Sequence, residues 1–462
     1  MNYPKPYPFY KDSGSQYLGV VPKHWKIQSF GSLTKRISQR SNPDFPLLSV
    51  VREKGVMLRS SMNEDENHNV IPDDLSNYKV VRKGNLVINK MKAWQGSMGI
   101  SPQDGLVSPA YFVFSLQMED LNYGHRLLRS KPYVGLFGQA SDGVRVGQWD
   151  LSIAGMKRIP IVAPSFPEQT AIVSYLNYMD SRINRYIKSK RKLIALLNEQ
   201  KQAIIHQAVT RGLDPNVRLK PSGVEWLEDM PEHWEIIRCG RLFSEVVDTR
   251  QADARLLSID RFKGVLPQEE TGRKERASKD RSAYKRIKPG QLAYNLMNAF
   301  MGAIGFSEYD GVVSPAYAVA QPQREIEARY FHFLLRTNTY TEEYKRLSYG
   351  IMYERNRLYF ERFKLVSVLI PPLPEQKAIA DQINRSTIEL NSSIAHTERE
   401  IGLLREYRIR LIADVVTGKL DVRDIAAGLP DEIEEVDNET EPLVDSDLME
   451  EEDISAGETD EE

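Results

Sequence analysis

Side chains able to hydrogen-bond to the edges of nucleic-acid bases are concentrated in short segments flanked by glycine. Lysine and arginine suit guanine in a major groove, and asparagine or glutamine suit adenine. The candidates for base readout are Lys90, Lys92, Trp94, Gln95, Ser141, Arg145, Gln148, Asn298, Tyr353, Arg355 and Asn356. The candidates for phosphate contacts, which position a duplex without reading it, are Arg52, Lys54, Arg261, Lys263, Arg273, Lys274 and Lys279. For any single one of them, a solvated surface charge is the alternative role.

The sequence lacks the patterns of a catalytic or metal site. There is no GxxxxGK[ST] loop for a nucleoside triphosphate and no GxGxxG segment after a predicted strand. Ser108-Pro109-Ala110-Tyr111 resembles the Ser/Asn/Asp-Pro-Pro-aromatic motif of amino-methyltransferases, but alanine stands at the second proline. We predict a strand entry there, with the tyrosine packed inward. His24 and His233, each beside a tryptophan, are predicted to be structural, so no catalytic or metal-binding residue is assigned.

The sequence contains an internal repeat, so the function of the candidate residues is expected to be present in two copies. Pro22, His24 and Trp25 recur 209 positions later as Pro231, His233 and Trp234. Further matches at offsets of 206 to 209 include Tyr78-Lys79 with Tyr284-Lys285, and Val107-Ser108-Pro109-Ala110-Tyr111 with Val313-Ser314-Pro315-Ala316-Tyr317. Internal repeats of this kind indicate a duplicated structural unit. Val80–Asn89 and Tyr111–Leu116 are predicted strands because they are rich in β-branched and aromatic residues.

The two copies differ at the candidate residues, within a common frame. Lys90, Lys92, Trp94 and Gln95 stand where the second copy has Leu296, Asn298, Phe300 and Met301. Residues 141–148 likewise stand opposite a different sequence at 348–355. Loops that vary over a repeated framework commonly carry recognition. The divergence predicts that the two copies read different targets.

Each copy is followed by a long helix with an apolar seam. Proline with a following carboxylate, as in Pro167-Glu168-Gln169 and Pro374-Glu375-Gln376, favours a helix start. Apolar spacings of three and four then predict helix pairing. The seam residues are Ile172, Leu176, Met179, Ile183, Ile187, Ile194, Leu197, Ile204, Ile379, Ile383, Leu390, Ile394, Ile401, Leu404 and Leu411.

We expect Thr170–Thr210 and Ala378–Thr417 to pair antiparallel within the chain, because one such helix alone would leave its apolar stripe in water. Separate bundles, or helices that mediate homodimerisation, are the alternatives. The glycines in Val209-Thr210-Arg211-Gly212 and Val416-Thr417-Gly418 are predicted to terminate the two helices.

Charge is distributed unevenly along the chain. The segment from Asp431 to Glu462 holds 17 of the 64 acidic residues and none of the 62 lysines and arginines, so residues 1–430 carry a surplus of about 15 positive charges. A basic body fits a polyanionic partner, whereas an acidic segment with few large apolar residues is predicted to be disordered. Cys239 is the only cysteine, which favours a reducing cytoplasm, and no apolar run is long enough to span a membrane.

Taken together, these motifs resemble those of the specificity subunits of Type I restriction–modification systems. The resemblance spans residues 14–421 and rests on Pro22-x-His24-Trp25, Gly105-x-Val107-Ser108-Pro109-Ala110-Tyr111, Pro164-x-x-Pro167-Glu168-Gln169 and their second-copy partners. It implies a non-catalytic chain that reads a bipartite asymmetric DNA site, one half-site per domain. The paired helices would set the gap between half-sites and dock the modification subunits.

The same resemblance implies partners that carry the chemistry. They would be modification (adenine methyltransferase) subunits, two per chain, and restriction (ATP-dependent endonuclease and translocase) subunits, with S-adenosylmethionine, ATP and Mg used by those partners and no cofactor in this chain. A coiled-coil interaction scaffold without DNA, and a self-sufficient methyltransferase or nuclease, are the alternatives.

The predicted fold is α+β, with two similar target-recognition domains, each followed by a long helix, and the helices paired as an antiparallel coiled coil with pseudo-two-fold symmetry. The predicted boundaries are 1–164 for the first recognition domain, 165–212 for the first spacer helix, 213–371 for the second domain, 372–421 for the second helix and 422–462 for the acidic tail.

Overall fold

The computed structural model describes residues 3–40, 45–52, 54–61, 74–143, 149–249, 254–260, 263–271, 281–350 and 356–430. They form two compact units. The first unit contains residues up to Lys190 together with those from Arg399 onward, and the second contains Arg191–Glu398. Each unit therefore combines one copy of the repeat with a part of each long helix.

The first copy is a small-sheet α+β domain. Its elements are β1 (Tyr10–Asp12), β2 (Val20–Pro22), β3 (Lys26–Ser29), α1 (Phe30–Leu33), β4 (Thr34–Ile37), β5 (Leu48–Val51), β6 (Gly55–Leu58), β7 (Lys79–Val81), β8 (Leu86–Asn89), β9 (Met98–Ile100), β10 (Gly105–Val107), β11 (Tyr111–Leu116), α2 (Leu121–Leu128), α3 (Lys131–Gln139), β12 (Ser141–Asp142), β13 (Asp150–Leu151), α4 (Ile153–Lys157) and β14 (Pro160–Ala163). The first long helix, α5 (Phe166–Arg211), follows.

The second copy repeats this order. Its elements are β15 (Leu219–Lys220), β16 (Met230–Pro231), β17 (Glu235–Arg238), α6 (Cys239–Leu242), β18 (Phe243–Glu245), β19 (Leu257–Asp260), β20 (Gly264–Pro267), β21 (Lys285–Ile287), β22 (Leu292–Asn295), β23 (Ile304–Phe306), β24 (Gly311–Val313), β25 (Tyr317–Pro322), α7 (Ala328–Leu334), α8 (Asn338–Leu347), α9 (Phe360–Phe363) and β26 (Ser367–Ile370). The second long helix α10 (Leu373–Val416) and the short α11 (Arg423–Ala427) complete the described chain.

The two copies share one sheet topology, as the sequence repeat predicts. The central antiparallel sheet has the order β4-β11-β8-β9 in the first copy and β18-β25-β22-β23 in the second. Val113 pairs with both Ile37 and Val87 across the first of these sheets. The predicted strand at Tyr111–Leu116 is confirmed. The predicted single strand at 80–89 is wrong, because Gly84, with φ of +87°, lies in a turn that separates β7 from β8.

The long helices pair antiparallel within each unit, which confirms the intramolecular pairing. In the first unit, Arg408 on α10 donates to Asp180 on α5 at 2.9 Å, and Lys190 pairs with Glu400 at 2.7 Å. In the second unit, Lys201 on α5 donates to Asn391 on α10 at 2.7 Å. Early residues of one helix thus meet late residues of the other, as an antiparallel arrangement requires.

All of the predicted seam residues are buried or half-buried, and those near the helix ends, such as Ile172 and Ile379, belong to the cores of the two repeat copies. The buried members are Ile172, Leu176, Ile183, Ile187, Ile379, Ile383, Ile401 and Leu411. The half-buried members are Met179, Ile194, Leu197, Ile204, Leu390, Ile394 and Leu404. Both helices end as predicted at a glycine in the left-handed region, Gly212 (φ +76°) and Gly418 (φ +78°). A Cβ on Gly418 would lie 2.3 Å from Pro22, so this position also requires a residue without a side chain.

The acidic tail begins later than predicted. Val422 is fully buried in the core of the first unit, and Ile425, Ala426 and Leu429 pack against the same core. Burial of these apolar side chains stabilises α11, so residues 422–430 belong to the folded unit. The acidic segment 431–462 lies outside the described residues.

A carboxylate in the first turn of each long helix joins that helix to the copy of the repeat that precedes it. Glu168, only 4% exposed, accepts hydrogen bonds from Tyr7 Oη at 2.7 Å, Trp25 Nε1 at 3.0 Å and His24 Nε2 at 3.0 Å. In the second unit, Glu375 accepts from Trp234 at 3.1 Å and contacts His233 at 2.7 Å. The two repeated histidines are therefore structural, as predicted.

The neighbouring glutamine completes this joint. Gln169 accepts from the backbone N–H of Asp120 at 3.1 Å and donates to Pro164 O at 2.9 Å. Gln376 makes the same two bonds with Glu327 and Pro371. The repeated Pro-Glu-Gln sequence thus fixes the start of each helix to the domain before it.

Replacing Glu168 with alanine should destabilise the first unit by about 2–4 kcal/mol, because the buried Trp25 N–H and Tyr7 hydroxyl lose their acceptor. Hydrogen exchange measured by mass spectrometry should show faster exchange in β1, β2 and the start of α5. Glu375→Ala is the matched control: it should act on the second unit and more weakly, since the Glu375 side chain is 26% exposed. Equal effects in both units for either variant would contradict this assignment.

Candidate nucleic-acid interface

The first candidate segment has the same backbone in both copies and different side chains. Asn89 ends β8, and its side chain accepts from the N–H of Met91 at 3.1 Å; Asn295 accepts from Met297 at 2.9 Å. A single 3-10 turn follows in each copy, Ala93–Gln95 and Ala299–Met301. Gly96 and Gly302 close these turns at φ of +90° and +85°. The backbone conformation of this segment is therefore the same in the two copies, while its side chains differ.

The described residues that follow the second candidate segment lie beside the first segment in both copies. Leu151, after the first copy's variable segment, donates its N–H to Lys90 O at 2.9 Å, and Leu358 donates to Leu296 O at 2.7 Å. In the first copy, Lys90 Nζ also pairs with Asp150 at 2.9 Å, and the rings of Trp94 and Trp149 lie 5.1 Å apart. The residues that follow the second candidate segment therefore contact the first candidate segment in both copies.

The second copy presents a more aromatic surface at the corresponding place. Tyr349 and Tyr359 are both exposed, with ring centroids 5.2 Å apart, and the Arg362 guanidinium lies 5.4 Å from the Tyr349 ring. Met301 is half exposed at the end of its turn. The first copy thus presents a lysine–aspartate pair and two tryptophans here, whereas the second presents two tyrosines, an arginine and a methionine.

The predicted base-reading residues differ in how far their side chains are exposed to solvent. Lys92 and Asn298 are exposed, while Lys90, Trp94, Gln95 and Asn356 are half-buried. Ser141 is an incorrect candidate, because it is buried and its hydroxyl donates to Phe137 O at 2.8 Å. Arg145, Gln148, Tyr353 and Arg355 lie outside the described residues.

The three predicted phosphate-binding residues that the structure describes lie at two equivalent hairpin turns. Arg52 and Lys54 lie in the β5–β6 turn, and Lys263 lies in the β19–β20 turn. Arg52 and Lys263 are exposed, and Lys54 is half-buried. Arg261, Arg273, Lys274 and Lys279 lie outside the described residues.

Sequence reasoning missed a histidine–arginine pair beneath each of these hairpins. Arg129 donates to His125 at 2.8 Å and to the backbone oxygen of Arg52 at 2.8 Å, so it fixes the β5–β6 turn. Arg336 donates to His332 at 2.8 Å. Burial, with the adjacent arginine, lowers the pKa of both histidines to about 3, and burial lowers the pKa of Arg336 to about 10. The recurrence of His-x-x-x-Arg at an offset of 207 could have revealed the pair.

The motif resembling that of methyltransferases forms a structural turn. The N–H of Tyr111 bonds to Ser108 O at 3.0 Å, and the buried Lys79 donates to the backbone oxygens of Pro109 and Tyr111 at 2.6 and 2.5 Å. Lys285 donates to Tyr317 O at 2.8 Å in the second copy. Tyr317 is buried and Tyr111 half-buried, in agreement with the predicted inward packing. The motif thus supports the strand entry to β11 and β25.

Comparison with known proteins relates this arrangement to one class. A curated relative, the Type I restriction enzyme EcoKI specificity subunit of Escherichia coli K12, is 28% identical over 102 residues, which are 22% of each chain. A solved structure of the type I R-M system, concerned with complex assembly and conformational transition, contains a chain that aligns with 87% of this one and 99% of its own length, at a TM-score of 0.56 and 14% identity. This chain has the fold of that type I R-M chain.

The resemblance to a specificity subunit that the sequence motifs indicate is confirmed by the curated relative. The HsdS subunit of Thermoanaerobacter tengcongensis aligns over 87% of this chain and 98% of its own, with a TM-score of 0.40 and 14% identity. The curated relative is matched over about a fifth of its length. No protein-family model matches the chain. Within the described residues, no helix is both long and apolar enough to cross a membrane.

Under the sequence-based hypothesis that each copy reads one DNA half-site, Lys92→Gln should relax the sequence preference for the first half-site and leave the other unchanged, at a cost of about 1–3 kcal/mol for one lost base-pair contact. Competition binding with duplexes mutated one base pair at a time measures this. Asn298→Ala is the counterpart for the second domain. If Lys92→Gln weakened binding uniformly across all duplexes, the residue would be a phosphate contact and its assignment to base readout would be wrong.

Proposed function

We propose that this chain is the DNA-reading subunit of a Type I restriction–modification complex and binds a bipartite, asymmetric duplex site. The observation that carries the proposal is the duplicated loop frame, which presents a lysine–aspartate pair and two tryptophans in one copy and two tyrosines with an arginine in the other. Each domain then reads one half-site. The basic surplus of residues 1–430 supplies the sequence-independent attraction to phosphates.

We propose further that the chemical steps belong to partner chains in the cytoplasm. Two modification subunits would methylate adenine with S-adenosylmethionine, and restriction subunits would use ATP and Mg to translocate and cut. The chain itself would choose the target and hold no cofactor. The fold and the specificity-subunit relative support this division of labour.

Exposed apolar side chains on the paired helices offer docking positions for the modification subunits. In the first unit, Leu403 and Tyr186 are 58% and 53% exposed. In the second unit, Leu196 and Ile388 are 53% and 62% exposed. Leu196 and Leu403 occupy equivalent positions of the repeat, 207 residues apart. Leu403 lies in the first unit and Leu196 in the second, which fits a partner that binds to the chain twice. Exposed apolar patches often mark protein interfaces.

Co-expression with the modification subunit, followed by mapping of adenine methylation across a genome at single-base resolution, tests the proposed function. The expected result is a two-part motif with a fixed non-specific gap that depends on this chain. A methylation pattern that does not change when this chain is omitted would contradict the proposal and favour a scaffold role.

Leu403→Glu should reduce the number of bound modification subunits from two to one, and the Leu196→Glu, Leu403→Glu double variant should bind none, because a carboxylate cannot be buried without a partner. Native mass spectrometry of the co-expressed complex counts the subunits. Glu406→Gln, at an exposed position on the same helix, is the control and should keep both partners. Retention of two subunits by the double variant would contradict this docking assignment.

Inserting seven residues in each long helix, so that the apolar pattern is kept, should lengthen the preferred DNA spacer by about 10 Å, or roughly three base pairs, without changing either half-site. The methylation map of the insertion variant gives both quantities. An unchanged spacer would contradict a measuring role for the helices.

A further inference from the structure

The edge strand β4 of the first copy's central sheet carries positive charge that the second copy lacks. Residues 34–40, which contain β4, include two arginines and one lysine and no aspartate or glutamate. The equivalent residues 243–249, found 209 positions later, include one glutamate and one aspartate and no lysine or arginine. The two segments occupy the same place in the fold, because Arg36 and Glu245 pair with equivalent residues of β11 and β25.

Arg36 and Arg40, which we call the edge arginines, are both exposed and contact groups without a negative charge. The Arg36 guanidinium lies 5.1 Å from the centroid of the Phe112 ring, and Arg40 donates to the side-chain oxygen of Asn77 at 3.2 Å. Neither arginine forms an ion pair with a carboxylate in the part of the chain that the structure describes. Because an aromatic ring and a neutral amide leave the guanidinium charge uncompensated, both arginines can bind an anion.

Two lysines close to the edge arginines add to the positive potential there. The buried Lys79 ammonium donates to two backbone oxygens at 2.6 and 2.5 Å. Burial, together with the charges of Arg36, Arg40 and Lys90, lowers the pKa of Lys79, so these three cations lie near enough to act on it. Lys90 pairs with Asp150 at 2.9 Å and belongs to the first candidate base-reading segment. The edge arginines therefore lie beside that segment.

We propose that the edge arginines bind the phosphate backbone of the half-site that the first domain reads, and that the second domain lacks this contact. The inference rests on the proposed function, under which the segment containing Lys90 faces the bases of that half-site. Four extended residues span at most about 14 Å, which is close to four base-pair steps of about 3.4 Å, so Arg36 and Arg40 can contact phosphates of one strand. Arginine suits this role because its planar guanidinium can donate two hydrogen bonds to one phosphate.

The second copy carries the opposite charge at the same place. Glu245 is exposed at the position of Arg36, and Thr249 stands at the position of Arg40. An exposed carboxylate repels a phosphate, so the same backbone contact is disfavoured at the edge of the second sheet. The two domains then differ in how they hold the DNA backbone as well as in the bases that they read.

The test compares the wild-type complex with the Arg36→Gln, Arg40→Gln double variant, each assembled with modification subunits. The probe is a duplex with both half-sites, and its affinity is measured across a series of salt concentrations. Loss of two phosphate contacts should make the slope of log K against log salt shallower by about 1.8, with both half-site sequences unchanged. The charge-retaining variant Arg36→Lys, Arg40→Lys should keep the wild-type slope. Lys35→Gln, which removes an exposed charge from the other face of β4, is the matched control and should also keep it.

Two further duplexes, with uncharged methylphosphonates at one half-site or at the other, locate the contact. One of them should weaken wild-type binding and remove the difference between the wild type and the double variant, whereas the other should preserve that difference. A difference that responds alike to both duplexes, or a Lys35→Gln slope as shallow as that of the double variant, would overturn the proposal. An unchanged slope in the double variant, with wild-type binding to the bipartite site intact, would overturn it while leaving the proposed function standing. Absence of bipartite binding by the wild-type complex would contradict the proposed function and this inference with it.

Discussion

The hydrogen bonds accepted by Glu168 and Glu375 are the constraint on which the rest of this structure depends. Each carboxylate lies in the first turn of a long helix, where the helix dipole favours negative charge, and accepts from a tryptophan of the recognition domain. The orientation of the helix relative to its domain is therefore set by a charge-assisted bond with little freedom. The first joint is the more buried and has one more donor, Tyr7.

The C-terminal end of each long helix is hydrogen-bonded to the repeat copy that does not precede that helix. In the first unit, Tyr123 donates to Val416 O, at the end of α10, at 3.0 Å. In the second unit, Tyr330 donates to Val209 O, near the end of α5, at 3.2 Å. These tyrosines satisfy carbonyl groups that a helix end leaves without partners. Each domain therefore holds the start of one helix and the end of the other, so the sequence repeat produces two like-built units from a single chain.

Much of the fold could be predicted from the sequence because repetition and apolar spacing report backbone structure directly. The seam from Ile172 to Leu411 was recognisable because burial along a helix has a fixed period. Ser141 was misassigned because residue type does not tell whether a hydroxyl faces solvent or bonds to its own helix, as it does to Phe137. The tail boundary was placed too early because a few apolar residues, such as Val422, decide whether a charged stretch can pack. The Arg129 bond to the Arg52 backbone could not be predicted from the sequence, because the two residues are 77 positions apart and meet only in the folded chain.

The central claim is that each copy of the loop frame reads one half of the target by itself. It is tested most directly by replacing residues 296–301 and 348–355 with the corresponding first-copy segments, residues 90–95 and 141–148, and mapping the methylated sites of the resulting complex. If the account is right, the target becomes two identical half-sites with the spacer unchanged, because both frames then present the same side chains. Retention of the original asymmetric target by this variant would contradict it.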